Sequence, residues 1–276
     1  MKDFTLSTYR QLLLALKNGG CNFLTFEEWC DGKATVPFVI LRHDVDLKAG
    51  HSLATARIEA EMGVKATYYF RIVPQSNQPE IIESIVRLGH EIGYHYEDLS
   101  LFNGDSAKAI DHFDKQLTHF RQFYSVRTIC MHGSPISKFD NRDLWKTYNY
   151  HDYGIIGEPY FDFLNAENIK INQILYFTDT ARMWDGDKYN VRDKINQQLT
   201  VNSEQVSSQQ LTNSATHQDV HSTFDFINWI NSNPSVNCMM ITTHPQRWTD
   251  NKIEWFHEFI MQFVKNKLKQ LLVRIR

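Results

Sequence analysis

Four short segments of the chain gather residue types able to do acid–base or metal chemistry. They are Arg42-His43-Asp44-Val45-Asp46, His95-Tyr96-Glu97-Asp98, His132-Gly133-Ser134-Pro135 and Thr242-Thr243-His244-Pro245. Between them they offer a close pair of aspartates and, besides His43 within the first segment, three histidines at the other strand ends. Two neighbouring carboxylates repel each other, and the strain is relieved when one binds a cation while the other stays free as a base. An aspartate with two further nitrogen or oxygen ligands, and open positions for water, is the usual plan of a hydrolytic metal site. In such a site the cation lowers the pKa of bound water, the free aspartate takes its proton, and a histidine on the far side protonates the leaving group.

The elements that must position these residues can be read from the pattern before each cluster. Phe38 to Leu41, Ala66 to Phe70, Glu91 to Tyr96, Val126 to Met131 and Cys238 to Thr242 have the apolar or aromatic character of buried strands. Helical periods fill residues 7–18, 48–62, 78–88, 105–124, 222–231 and 252–272, several of them stopped by glycine. Strand–helix alternation with short connections predicts parallel strands joined by helical crossovers, with function at the C-terminal strand ends. Side chains alternate faces along a strand, so Asp44 and Asp46 share a face, as do His95 and Glu97. His43 falls on the opposite face, as a packing residue. Gly154 to Gly157 and Ile174 to Phe177 are further short strand candidates. At least five strand–helix units, with room for more, suit a β/α barrel better than an open sheet.

Nothing in the 276 residues marks a linker or an internal repeat, so a single domain over 1–276 is expected, with 1–36 as a helical N-terminal extension. Residues 196–218, rich in Gln, Asn, Ser and Thr, are expected to form a polar insertion or lid. The 29 basic and 32 acidic residues nearly balance, which argues against a nucleic-acid or anionic-membrane partner as the first expectation. The basic run Lys265 to Arg276 reads as a solvated helix face. Cys21, Cys30, Cys130 and Cys238 show no metal-finger spacing and read as free thiols. No stretch approaches the roughly 20 apolar residues of a membrane-spanning helix, and no export signal is evident, so a cytoplasmic location is expected.

These residues resemble the polysaccharide deacetylase family with the NodB homology fold, also called carbohydrate esterase family 4. The resemblance is carried over residues 38–135 and again over 238–248, and is thin between 140 and 235. It implies a distorted seven-stranded β/α barrel and a divalent metal, most often zinc, used to deacetylate an amino sugar. The strand-end aspartate pair matches Asp44 as base and Asp46 as metal ligand. The Gly-His-Glu-Ile-Gly segment at Gly89–Gly93 leads to a metal histidine at His95. The late strand-end histidine that acts as acid falls on His244. An aspartate and a tryptophan near the substrate fall on Asp179 and Trp184, with Arg182 between them as a candidate for an anionic group. A carbohydrate or sugar-nucleotide substrate is the implied partner.

Two departures bear on the site. The family's second metal histidine falls on Leu99, which cannot ligate. The family's third motif usually carries an arginine that steadies the base, and His132 stands nearby instead. Either His132 replaces the missing ligand, or Glu97 does, or the metal site is weakened or lost. Trp248 could stack on a sugar ring, Arg247 could hold an anion, and Glu158 and Tyr160 could line the pocket; packing roles are open for all four.

Overall fold

A computed structural model describes residues 2–133, 137–165, 174–184, 220–233 and 238–275, with side chains in the last helix as far as residue 267. The expected insertion at 196–218, and Ser134 and Pro135, lie outside the described residues. Seven strands form one parallel sheet: β1 (Asn22–Leu24), β2 (Phe38–Val45), β3 (Thr67–Phe70), β4 (Glu91–Tyr96), β5 (Ile129–Met131), β6 (Leu175–Thr178) and β7 (Cys238–Thr243). The order is β5-β4-β3-β2-β7-β6, and β1 pairs with the first half of β2. Among the described residues no ladder joins β5 to β6. The fold is α/β, with a curled parallel sheet that makes a half-barrel.

Eight α-helices accompany the sheet among the described residues: α1 (Leu6–Asn18), α2 (Phe26–Cys30), α3 (Ala49–Glu61), α4 (Pro79–Arg87), α5 (Asp98–Leu101), α6 (Ser106–Phe120), α7 (Thr223–Ser232) and α8 (Lys252–Ile275). Side-chain caps set several starts, with Thr5, Thr25, Asp105 and Ser222 each accepting from a backbone N–H of the first turn. The residues before 37, expected to be helical, also supply β1, which extends the sheet by the register Asn22 to Phe38. A three-residue strand is too short for a period to show in sequence. The stretch ending at Gly157 contributes a parallel bridge to Thr128 rather than a strand.

Every residue of β2 is buried because the strand is central, with β7 on one side and β1 and β3 on the other. Its two faces differ. One face carries Arg42 and Asp44 into the hollow of the sheet, in register with Thr67 and Tyr69 of β3 and Thr242 of β7. Gly93 is required there, since the Tyr69 ring passes 2.3 Å from where a Cβ on Gly93 would lie. The other face carries His43 against the helices. His43 lies 2.7 Å from Glu59 and 2.6 Å from Thr243 Oγ1, and its ring stacks on Tyr68. His43 is a buried, fully partnered packing residue, as its parity predicts.

Candidate metal centre

The C-terminal ends of β2, β4, β5 and β7 bring their polar residues to one rim. Asp46 follows β2, and its backbone N–H donates to the Asp44 carbonyl at 3.0 Å, which turns the chain so that both carboxylates approach the same nitrogen. That nitrogen is His95 Nε2, 3.8 Å from Asp44 Oδ2 and 3.6 Å from Asp46 Oδ1. His132 extends the line of β5, and its Nδ1 lies 3.2 Å from His95 Nε2 and 3.1 Å from Asp46 Oδ1. Ligand atoms of Asp46, His95 and His132 all fall within 4.8 Å of one another. Asp44, His95 and Cys130 form a second group by the same measure.

His95 is oriented for ligation. Its Nδ1–H donates to the Cys130 carbonyl at 2.9 Å, which leaves the Nε2 lone pair facing the two carboxylates. Burial drives its pKa down to about 3 despite the nearby aspartates, so the ring is neutral, the form that binds a metal. Burial opposes the charge on Asp46, but His132, His244 and His95 outweigh it and hold its carboxyl well below the usual range. His132 is pushed up for the matching reason: burial disfavours its charge, and Asp46 beside it prevails. Asp46 Oδ1 is buried, and the His132 ring is the one donor beside it. A neutral imidazole, a carboxylate oxygen and a second imidazole therefore converge on one point. The donor set of two imidazoles and one carboxylate could hold a divalent ion, because a cation satisfies lone pairs that otherwise face each other.

Glu97, the alternative third ligand, is engaged elsewhere. Arg71 grips both its oxygens, at 2.9 and 2.8 Å, and Glu97 approaches only the far side of His132, at 3.9 Å. Leu99 is buried on α5 and contributes packing. The structure thus places His132, and not Glu97, in the cluster with Asp46 and His95.

Asp44 has a different neighbour from Asp46. Arg42, two residues earlier on the same face, donates Nε and Nη2 to its two oxygens at 2.8 and 2.7 Å. Burial alone would raise the Asp44 carboxyl; Arg42, with His95 and His244 behind it, holds it below the ordinary carboxylate range. Arg42, on β2 itself, thus steadies Asp44, the task for which the resemblance implies an arginine at the fourth strand end. Parity could have shown this, since a lone arginine in an apolar strand shares its face with Asp44. Arg42 also donates to Tyr160 Oη at 3.1 Å, which places Tyr160 beside the site. Glu158 instead accepts from the backbone of Met131 and Tyr160 and serves the chain path.

His244 stands across the rim, with Nε2 3.9 Å from Asp46 Oδ2. Asp179 orients it, taking His244 Nδ1 at 2.6 Å and the His244 backbone N–H at 3.0 Å. Arg247 Nη1 and Trp248 Nε1 fill the same carboxylate at 2.6 and 2.9 Å. Burial would raise the Asp179 carboxyl, but Arg247 and His244 outweigh it and hold it at about 2.

The three residues expected to contact substrate all have other partners. Asp179 is fully buried and spends both oxygens on His244, Arg247 and Trp248, so it is a positioning residue. The Arg182 guanidinium lies over the rings of Phe4 and Trp255, away from the cluster. Trp184 is buried against Phe226 and Trp248 and donates to Thr223 Oγ1 at 3.0 Å. Trp248 is likewise buried and Arg247 is spent on Asp179. Gln246, absent from the sequence reading, reaches Asp46 Oδ2 at 3.3 Å.

No protein-family model matches the chain, and no curated protein matches it.

Proposed function

We propose that the chain is a metal-dependent hydrolase that removes an acyl group from an N-acetylated or O-acetylated sugar, a divergent relative of the polysaccharide deacetylases on a distorted barrel of the NodB type. The observation that carries the reading is the Asp46–His95–His132 cluster facing a histidine–aspartate pair, with a separately clamped aspartate beside His95. Asp46, His95 and His132 would hold a divalent ion, and two imidazoles with one carboxylate suit zinc. The ion would acidify water and polarise the acyl carbonyl.

The chain's own groups supply the rest. Asp44 accepts the proton of the attacking water, and Arg42 keeps that carboxylate fixed while a second lone pair on each oxygen stays free. His244 delivers a proton from Nε2 to the leaving nitrogen or oxygen, and Asp179 holds the ring with Nδ1–H turned inward. Gln246 and Arg71 restrain the Asp46 loop through its side chain and its carbonyl.

The test is elemental analysis of protein purified without chelator, together with acetate release from N-acetylated sugars and sugar nucleotides. Wild type should carry one divalent ion per chain. Asp46→Ala should lose both metal and activity, whereas Asp44→Asn should keep the metal and lose activity. A wild-type protein without metal, or an Asp46→Ala variant that keeps it, overturns the reading.

A further inference from the structure

The last helix has its polarity reversed. The side of α8 that meets the body is polar or anchored by polar atoms. Gln262 is buried and donates to Asn266, Asn266 donates to the Ala181 carbonyl at 3.2 Å, and Trp255 Nε1 donates to the Asp3 carbonyl at 2.6 Å. The outward side carries Ile253, Phe256, Phe259, Ile260, Phe263 and Val264, which are between 43 and 82% exposed. At 3.6 residues per turn these six fall within an arc of about 140°. A soluble surface helix shows the opposite arrangement, and among the described residues this stripe has no apolar partner.

The charges of α8 divide in the same way. Its acids are turned to the body: Glu254 lies 2.9 Å from His51, and Glu258 favours the charge on Arg182. Lys252 and Lys267 are exposed and fall in line with the stripe at its two ends, while Lys265, also exposed, lies on the side of the acids. From Lys252 onward the sequence holds six basic residues, Lys252, Lys265, Lys267, Lys269, Arg274 and Arg276, against two acids. This local excess is hidden by the net charge of −3 for the whole chain.

We propose that α8 is an interfacial anchor that lays its phenylalanine stripe into the headgroup region of an anionic phospholipid bilayer. An apolar stripe with lysines at its ends and acids withdrawn to the rear complements a negatively charged lipid surface. Lysine stems lie along apolar material while their ammonium groups reach the phosphates. The same charges oppose a second copy of the chain as the partner. An antiparallel α8 pair centred on the stripe brings Lys252 of one copy toward Lys267 of the other, and a parallel pair sets each of these lysines against itself. No helix of the described residues is long and apolar enough to cross a membrane, and the anchor lies in the plane of the surface.

The test is co-sedimentation of the full chain with vesicles of phosphatidylcholine alone and of phosphatidylcholine mixed with phosphatidylglycerol. Binding should require phosphatidylglycerol and weaken as salt rises. Lys252→Gln and Lys267→Gln should each weaken it about fivefold. Phe256→Ser with Phe263→Ser should weaken it at least tenfold, on the order of two buried aromatic side chains; both sites are exposed, and an unchanged circular dichroism spectrum confirms the fold. Absence of binding to either vesicle overturns the proposal, as does binding that none of the variants alters. A concentration-dependent dimer in sedimentation velocity that the phenylalanine variants dissolve, without vesicle binding, assigns the stripe to self-association and also overturns it.

Discussion

Replacing Asp179 by asparagine is a severe test of the His244 geometry, because the two side chains have the same shape. Four groups converge on the carboxylate, and all four are donors. Oδ1 takes His244 Nδ1 and Arg247 Nη1, and Oδ2 takes the His244 backbone N–H and Trp248 Nε1. An amide nitrogen at either position therefore meets two donors, and no flip of the amide avoids the conflict. Two buried donors left without an acceptor cost about 1–3 kcal/mol each, so Asp179→Asn should lose about 2–6 kcal/mol of folding free energy. The asparagine also removes the carboxylate that holds the His244 ring by Nδ1 with Nε2 directed at Asp46. Acyl hydrolysis should then fall by about 10²–10⁴-fold while the bound metal stays, because no metal-cluster residue touches Asp179. Urea unfolding, metal content and turnover on one preparation separate these effects. An asparagine variant as stable as wild type, or one that turns over normally, refutes the proposed orientation of His244.

Arg42→Met should destabilise by about 3–5 kcal/mol in denaturant titration, since it strands the buried Asp44 charge, and adding Asp44→Leu should recover most of that loss; a single variant as stable as wild type would show that the ion pair carries no such weight. Gly93→Ala should lower the urea midpoint by the equivalent of about 1–3 kcal/mol, because its Cβ would meet the Tyr69 ring at 2.3 Å and the Thr128 carbonyl at 2.9 Å; an unchanged midpoint would mean that Tyr69 moves aside freely. Glu91 is pushed up by burial from 4.5 to about 7, so the folded state holds a proton that the unfolded state releases near pH 4.5. Stability should therefore decline as pH rises from about 4.5 through 7, by at most about 3 kcal/mol, and Glu91→Gln should flatten that slope in pH-dependent melting; a wild-type curve already flat over the window contradicts it.

How far the sequence carried the reading depends on what held each residue. Asp44, Asp46, His95, His132 and His244 sit at the ends of apolar strands, where a period of two fixes the face and the strand end fixes the height. Their convergence on one rim was legible for that reason. The choice between His132 and Glu97 was not, because both lie near His95 and only Arg71, far away in sequence, removes Glu97. Asp179, Arg182 and Trp184 follow a four-residue strand by irregular turns, with Ala181 and Arg182 both at positive φ, and no period predicts where such side chains point. Arg247 and Trp248 turn Asp179 away from the rim, Phe4 and Trp255 hold Arg182, and Phe226 covers Trp184. The arginine that steadies Asp44 stands two residues away on the same strand, where an apolar run conceals that a charged side chain shares the aspartate's face.

That placement has a mechanical consequence. Arg42 and Asp44 ride on one strand, so their separation is set by covalent geometry and survives any breathing of the sheet. The cluster around Asp46 is assembled from three strand ends, with His95 on β4 and His132 past the edge strand β5. Flexing the open side of the half-barrel shifts the imidazoles against Asp46 and leaves the arginine clamp intact. Under the proposed function, metal affinity and the readiness of the base are therefore separable. Changes along the β4–β5 edge can tune how tightly the ion is held without detuning the group that would take the proton.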